Sequence, residues 1–445
     1  MRRDRSCPEG VGEKWNDERR DPVAWLQMLR RPLRISPTAM KSVSDVAAAP
    51  SSARGSPGKV PGWGALEGNV VLVGFATFLL ALGEGLWFRF APRYLDALGA
   101  SALIIGLWGS LQDLLDSAWQ IPGGILADRI GRKRTLLLLT GLTLIGLLVF
   151  LIPYWPVVLL GLVLYMANQA YAQPATFAVI GDALPKENRA MGFVVQSAFK
   201  RLPVLLGVPA AGYVITGRLG IVGGVRAGLI AAFVLTGVAL ALQVKYYRSP
   251  PKTAELPVRY SLRNFPPRLR HLLFSDILIR MGESATKVFI VLYVVMILGY
   301  TDYVFGLMIA LQTVVSLLVY IPAARAADLH GRKLWVALTF LFFGLFPIAI
   351  LLARSFPLLL LAFVIAGLKE IGEPARKATI IDAAEQAQQR GRTVGAYYAA
   401  RSLTIVPVGV AAGALWSWNH AAPFWLGGAL SAVGLAFYVT TVRRE

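Results

Sequence analysis

Asp276, Arg280, Glu283 and Lys287 stand at spacings of four, three and four inside an otherwise apolar stretch. On a helix they share one face, with alternating sign. Ionisable groups in such surroundings are costly to hold and mark sites where protons or charged solutes are handled. Buried carboxylates take up and release protons because desolvation favours their neutral form and a nearby cation favours the charged one. Further sets recur along the chain. Gln112, Asp113, Asp116 and Gln120 share a face; Lys369, Glu370, Glu373, Arg376 and Lys377 form a third set. Gln196, Lys200 and Arg201, then Tyr397, Tyr398 and Arg401, and Glu84 near Trp87 complete them.

Each set also has a structural reading. Asp276 and Arg280 lie near enough to the end of their stretch to be solvated, and Arg376 and Lys377 are long enough to snorkel to an edge. Glu283 and Lys287 are spaced for an i,i+4 ion pair. The candidate cavity residues are Glu84, Gln112, Asp113, Asp116, Gln173, Arg201, Glu283, Lys287, Lys369, Glu373 and Arg401. Asp113 and Asp116 are the expected proton carriers, since two like charges close together push one toward protonation. Lys200 or Arg201 nearby would instead keep both ionised.

The elements that position these groups are apolar segments of roughly 20 residues, long enough to cross about 30 Å of hydrocarbon. Of the 445 residues, 56% are hydrophobic and 16% charged, more apolar surface than one soluble core would hide. Twelve spans are expected near 69–91, 102–124, 134–152, 156–181, 191–215, 224–245, 272–298, 303–324, 333–353, 357–381, 394–416 and 422–442. The formal charge of +20 does not point to nucleic acid, because the cations sit in short loops between apolar runs. Alternate loops on one side hold 20 Lys and Arg, and the opposite side five. Positive loops stay inside, so both termini are expected in the cytoplasm. Single cysteines at Lys186 and Gln388 should label from the cytoplasm only, and one at Trp155 from outside only. Labelling of positions 155 and 186 from the same side would overturn the map.

The chain is duplicated. Gly106, Leu107, Gln112, Ile121, Pro122, Ala127, Asp128, Gly131, Arg132 and Lys133 recur at plus 200, as do Pro174 and Asp182. The string from Gly124 through Leu126, Asp128, Arg129, Gly131, Arg132 and Lys133 returns in degenerate form as Ala327, Asp328, Gly331, Arg332 and Lys333. Gly131 supplies the backbone freedom of a tight turn, and Gly124 permits close helix packing. Asp128 suits the positive N-terminus of a neighbouring helix.

On these strings the chain, over about residues 69–442, resembles the major facilitator superfamily of secondary transporters. The resemblance implies an all-α integral membrane protein of 12 transmembrane helices in two pseudo-symmetric six-helix bundles. Residues 1–67 would be a disordered basic cytoplasmic tail, with a start at Met40 as the alternative. The bundles would cover 68–245 and 272–445, joined by a cytoplasmic linker over 246–271. It also implies that the repeated loop latches the cytoplasmic side. Asp128 would meet the eleventh helix and Arg132 would meet Asp182, with Gly124, Arg129, Gly131, Lys133, Asp328, Gly331 and Arg332 completing the latch. A topology anchor is the plainer role for the same loop.

No GxxxxGK[ST], HExxH, GxSxG or Cys/His metal pattern occurs, so ATP hydrolysis and enzymatic chemistry have no motif behind them. No metal site and no cofactor are expected. The expected function is secondary transport of a small organic solute by alternating access, as proton-coupled efflux. Uptake or exchange of a polar or anionic metabolite is the alternative, and a non-transporting receptor or scaffold a remote one. The residues at 164–174 lack the arginine of the family's drug–proton antiporters, and Val208-Pro209-Ala-Ala-Gly212 keeps only part of their fifth-helix motif. The expected partners are a small-molecule substrate, protons and the lipid bilayer, with no nucleic acid, for a monomer in the inner (plasma) membrane.

Overall fold

The computed structural model describes residues 63–119, 122, 123, 126, 129–168, 189–247, 265–386 and 390–442. Among them helices dominate and no strand occurs. The expected tail over 1–67 and linker over 246–271 fall largely outside this set. The helices are α1 (Trp63–Gly85), α2 (Ala102–Ala118), α3 (Arg132–Phe150) and α4 (Trp155–Asn168). They continue as α5 (Arg189–Val214), α6 (Gly220–Tyr246), α7 (Pro267–Lys287), α8 (Asp302–His330), α9 (Lys333–Leu352), α10 (Phe356–Leu368), α11 (Arg390–Trp418) and α12 (Ala422–Val442). Each meets one expected span; α1 begins six residues earlier than expected and α7 five. With no backbone partner in hydrocarbon, helices that bond internally are the shape open to such segments.

Seven described helices are long and apolar enough to cross a bilayer: the helical run over Leu72–Ala97, and α3, α6, α8, α9, α11 and α12. Of the others, α2, α4, α5 and α7 carry interior charges or border residues outside the described set, and α10 stops after 13 residues. The apolar α3, α6, α9 and α12 turn large side chains such as Ile145, Val234, Leu345 and Val433 outward. The charged faces point inward.

Two helices break where the charges gather. After Lys287, α7 passes through a bend into Ile290–Leu292 and a wide π turn over Tyr293–Ile297. Beyond Leu368, α10 turns and resumes as Glu373–Gln386. The span at 357–381 is therefore not one continuous helix as the sequence suggested. Gly372 carries the break, for a Cβ there would lie 2.0 Å from the Trp335 carbonyl oxygen. Its freed N–H donates to Thr339 Oγ1 at 2.6 Å, so the irregular backbone is satisfied inside protein.

On the face carrying the α1–α2 and α7–α8 connections, the halves close tightly. Cβ atoms at Gly106 and Gly413 would lie 2.2 Å from the Gly409 oxygen and 2.5 Å from the Ala102 oxygen, so α2 and α11 meet backbone to backbone. At Gly212 and Gly306 they would lie 2.4 Å from the Asp302 oxygen and 2.8 Å from the Val208 oxygen, which does the same for α5 and α8. The two crossings are repeats of one another. Gly106 and Gly306 stand 200 apart, as do Ala102 and Asp302. Ser110 Oγ accepts from the Val410 N–H at 3.0 Å, Thr216 Oγ1 from the Tyr303 N–H at 3.0 Å. Arg93 pairs with Asp302 across the halves.

Candidate functional site

The four charges of α7 share a face as their spacing dictates, but most of their partners come from other helices. Arg280 Nη1 donates to Glu283 Oε2 at 2.7 Å, and Arg280 also pairs with Glu373 beyond the α10 break. Lys369 Nζ lies 3.5 Å from Glu283 Oε1 and 4.7 and 5.0 Å from the ring centres of Phe343 and Phe346. The aromatic faces hold this nearly buried ammonium by cation–π attraction. Lys287 Nζ reaches α2, donating to Asp113 Oδ1 at 2.6 Å, while Ser284 Oγ donates to Asp113 Oδ2 at 2.7 Å. The i,i+4 pair between Glu283 and Lys287 is not made: each side chain has a better-placed partner across a helix interface.

Two further expectations are corrected. Asp276 is not solvated at an edge; it is 0% exposed. Arg376 does not snorkel, being 2% exposed. Arg376 Nη1 donates to Asp276 Oδ2 at 2.7 Å and Nη2 to Glu373 Oε2 at 2.7 Å. Tyr397 OH donates to the same Asp276 oxygen at 3.0 Å, and Arg401 Nη1 reaches it at 3.5 Å. Asp276, Glu283 and Glu373 thus face Arg280, Lys369, Arg376 and Arg401, three carboxylates against four cations.

A cavity of about 130 Å³ opens beside this network, lined by Asp113, Asp116, Arg280, Glu283, Ser284 and Lys287 with Arg401, Ser402 and Ile405. It draws on α2 of the first half and α7 and α11 of the second. Most of its charges are spoken for. Two are not: Asp116 has no ion pair among the described residues, and its carboxylate is exposed to the cavity. Arg401 touches Asp276 only at 3.5 Å, and its buried Nε has no hydrogen-bond partner.

Asp113 and Asp116 share a face but part company. Asp113 is neutralised by Lys287 rather than by Lys200 or Arg201. Arg201 crosses to the other half, giving 2.7 Å to Ser316 Oγ and 2.8 Å to Glu370 Oε2, and stacks on Tyr320. Ser316 is the repeat counterpart of Asp116, and Arg401 that of Arg201. The contact Arg201–Ser316 therefore has a symmetry mate, Arg401 facing Asp116, and there the space stays open. Sequence reasoning passed over this pairing, although both residues sit at the offset of 200.

Of the other candidates, Gln112 is half-buried on α2, and Glu84 is half-buried near the end of α1, outside the cavity lining. Gln173, Gly124, Asp128 and Asp182 lie outside the described residues, as does the side chain of Asp328. In the rest of the loop, Arg129 is exposed and Arg132 half-buried. Gly131 and Gly331 take φ of +88° and +90°, and at Gly131 this is the backbone freedom expected of the tight turn. Arg332 precedes α9. Lys133 Nζ donates to the Val244 carbonyl at 2.9 Å, capping the end of α6.

The sequence profile of the Major Facilitator Superfamily matches residues 73–279 and 272–445. An MFS-type transporter of Methanocaldococcus jannaschii is 22% identical over 380 residues, 83% of this chain and 93% of that protein. The quinolone resistance protein NorA of Staphylococcus aureus is 28% identical over 148 residues, 33% of this chain and 38% of NorA. Among solved structures, a POT family transporter in complex with 5-aminolevulinic acid superposes with a TM-score of 0.67 at 14% identity, over 84% of this chain and 95% of that one. The human organic anion transporter MFSD10 gives 0.61 at 16% identity, over 84% and 99%.

Proposed function

The chain belongs to the Major Facilitator Superfamily, and on that footing we propose that this membrane transporter is a proton-coupled exporter of a small polar organic solute, working by alternating access. One observation carries the reading: a charged cavity between the halves holds a single carboxylate, Asp116, without an ion pair among the described residues. The cavity lining is mostly charged and polar, which favours a polar solute over a lipophilic drug. The partial likeness to NorA supports export.

Asp116 is the proposed proton carrier. Asp113, its neighbour, is already engaged by Lys287 and Ser284. A carboxylate open to the cavity takes a proton from whichever side the cavity faces. A solute cation and a proton would compete for it, and competition for one group is sufficient for antiport. The tight face between α2 and α11 and between α5 and α8 supports a state open to the opposite side, the cytoplasm under the positive-inside count.

The test needs no substrate. Spin labels at Ser101→Cys and Tyr300→Cys, in a Cys7→Ser background, report the gap across the closed face. Between about pH 6 and about pH 8 the distance distribution should shift, and Asp116→Asn should abolish the shift, because the amide has no proton to exchange. A shift that survives in Asp116→Asn moves the carrier elsewhere, with Glu84 next in line. Uptake or exchange of an anionic metabolite is a second reading, favoured by the cation excess around Asp276.

A further inference from the structure

We propose that the cavity takes a small zwitterion, a solute carrying one carboxylate and one ammonium group, held by Arg401 and Asp116 respectively. This rests on the transport reading above and goes further by naming the substrate class. The argument is one of satisfied and unsatisfied charge. Six charged side chains line the cavity, and four are matched by partners of the fold: Asp113 with Lys287, Arg280 with Glu283 and Glu373, and Glu283 also with Lys369. Of the lining charges, Asp116 has no ion pair among the described residues and Arg401 has only the 3.5 Å contact to Asp276, one charge of each sign. Charges that face the cavity without a full partner of the fold are met there by water or by a ligand.

The duplication says where such a ligand sits. In the mate of this pair, Arg201 spans the gap directly and donates to Ser316 at 2.7 Å. Arg401 instead leans on the ring of Tyr398, its guanidinium carbon 4.8 Å from the ring centre. It is drawn toward Asp276 at 3.5 Å. Arg401 and Asp116 make no ion pair with each other among the described residues, and both line the cavity. A carboxylate offers the planar fork of Arg401 two acceptors. An ammonium offers Asp116 a counter-charge. Neither a simple anion nor a simple cation satisfies both. The cavity is about 130 Å³, so small zwitterions are the first probes.

The purified chain is melted with glycine, β-alanine or γ-aminobutyrate, each against a matched acid without the ammonium (acetate, propionate, butyrate) and a matched amine without the carboxylate. At least one zwitterion should raise the melting temperature in a saturable way, since only ligands of the folded state do so. Its acid and amine analogues should need at least roughly tenfold higher concentration, the cost of one lost charged contact. Asp116→Asn should abolish the stabilisation. So should Arg401→Gln, or Arg401→Lys if the glutamine variant does not fold, because an ammonium lacks the planar fork. Equal stabilisation by an acid or an amine alone overturns the zwitterion, as does stabilisation by none of the zwitterions. A pH-dependent spin-label shift that persists in that case leaves the transporter reading standing. If the shift is also absent, both fall.

Discussion

Replacing Asp276 with asparagine is expected to destabilise the folded protein by about 3–5 kcal/mol, the usual penalty for stranding a buried charge. Asp276 accepts from Arg376, Tyr397 and Arg401 through a single oxygen and is sealed from solvent. An amide in its place leaves the Arg376 guanidinium with Glu373 alone and four cations facing two carboxylates. The effect should show as a large fall in melting temperature and in monodisperse yield. Arg376→Gln should do comparable damage, for it removes the cation shared by Asp276 and Glu373. The double substitution should cost less than the two singles added together, because neither stranded partner remains to be penalised. Asp276→Asn melting like the wild type would mean that the network contributes little to the fold.

The second large effect is expected at the glycine crossings. Gly106→Ala places a methyl group 2.2 Å from the Gly409 oxygen, and Gly212→Ala one 2.4 Å from the Asp302 oxygen. Both obstacles are helix backbone, which cannot swing aside as a side chain would. Overpacking of this kind costs about 1–3 kcal/mol, here charged only to the closed arrangement, so the balance should move by roughly 5- to 150-fold away from it. Ser402→Cys lines the cavity, and in a Cys7→Ser background its labelling from the α1–α2 face should quicken accordingly. Gly141→Ala and Gly237→Ala are controls, since nothing lies within 4 Å of a Cβ at either. Equal labelling rates in all four variants would refute the tight crossing.

Much of this architecture was legible before any coordinates. Apolar length marked the helices, and the repeat at 200 residues marked the halves. The spacing of Asp276, Arg280, Glu283 and Lys287 marked the charged face of α7. Pairings were not legible. Lys287 prefers Asp113, 174 residues away, over Glu283 on its own helix, and nothing local encodes that choice. Distance from a helix end places Asp276 near an edge, whereas its burial comes from Arg376 and Tyr397 packed around it. The α10 break was missed because its cause is the approach of Trp335 to Gly372, a contact between helices. The pairing of Arg201 with Ser316 was within reach, given that Arg401 and Asp116 lie at the same offset.

With Asp116 as the proposed proton carrier, an exchange ratio follows. One titrating group on the proposed route means one proton per turnover, and a zwitterion leaving in return carries no net charge. Each cycle then moves one positive charge inward, and the membrane voltage drives it alongside the pH difference. At about 2.3 kcal/mol per elementary charge per 100 mV, voltage alone would support a solute gradient of about 50-fold at that potential. Each unit of pH difference would multiply it by about ten. A voltage clamped to zero would leave only the second factor, so export would continue in a potassium–valinomycin clamp but against a much smaller solute ratio.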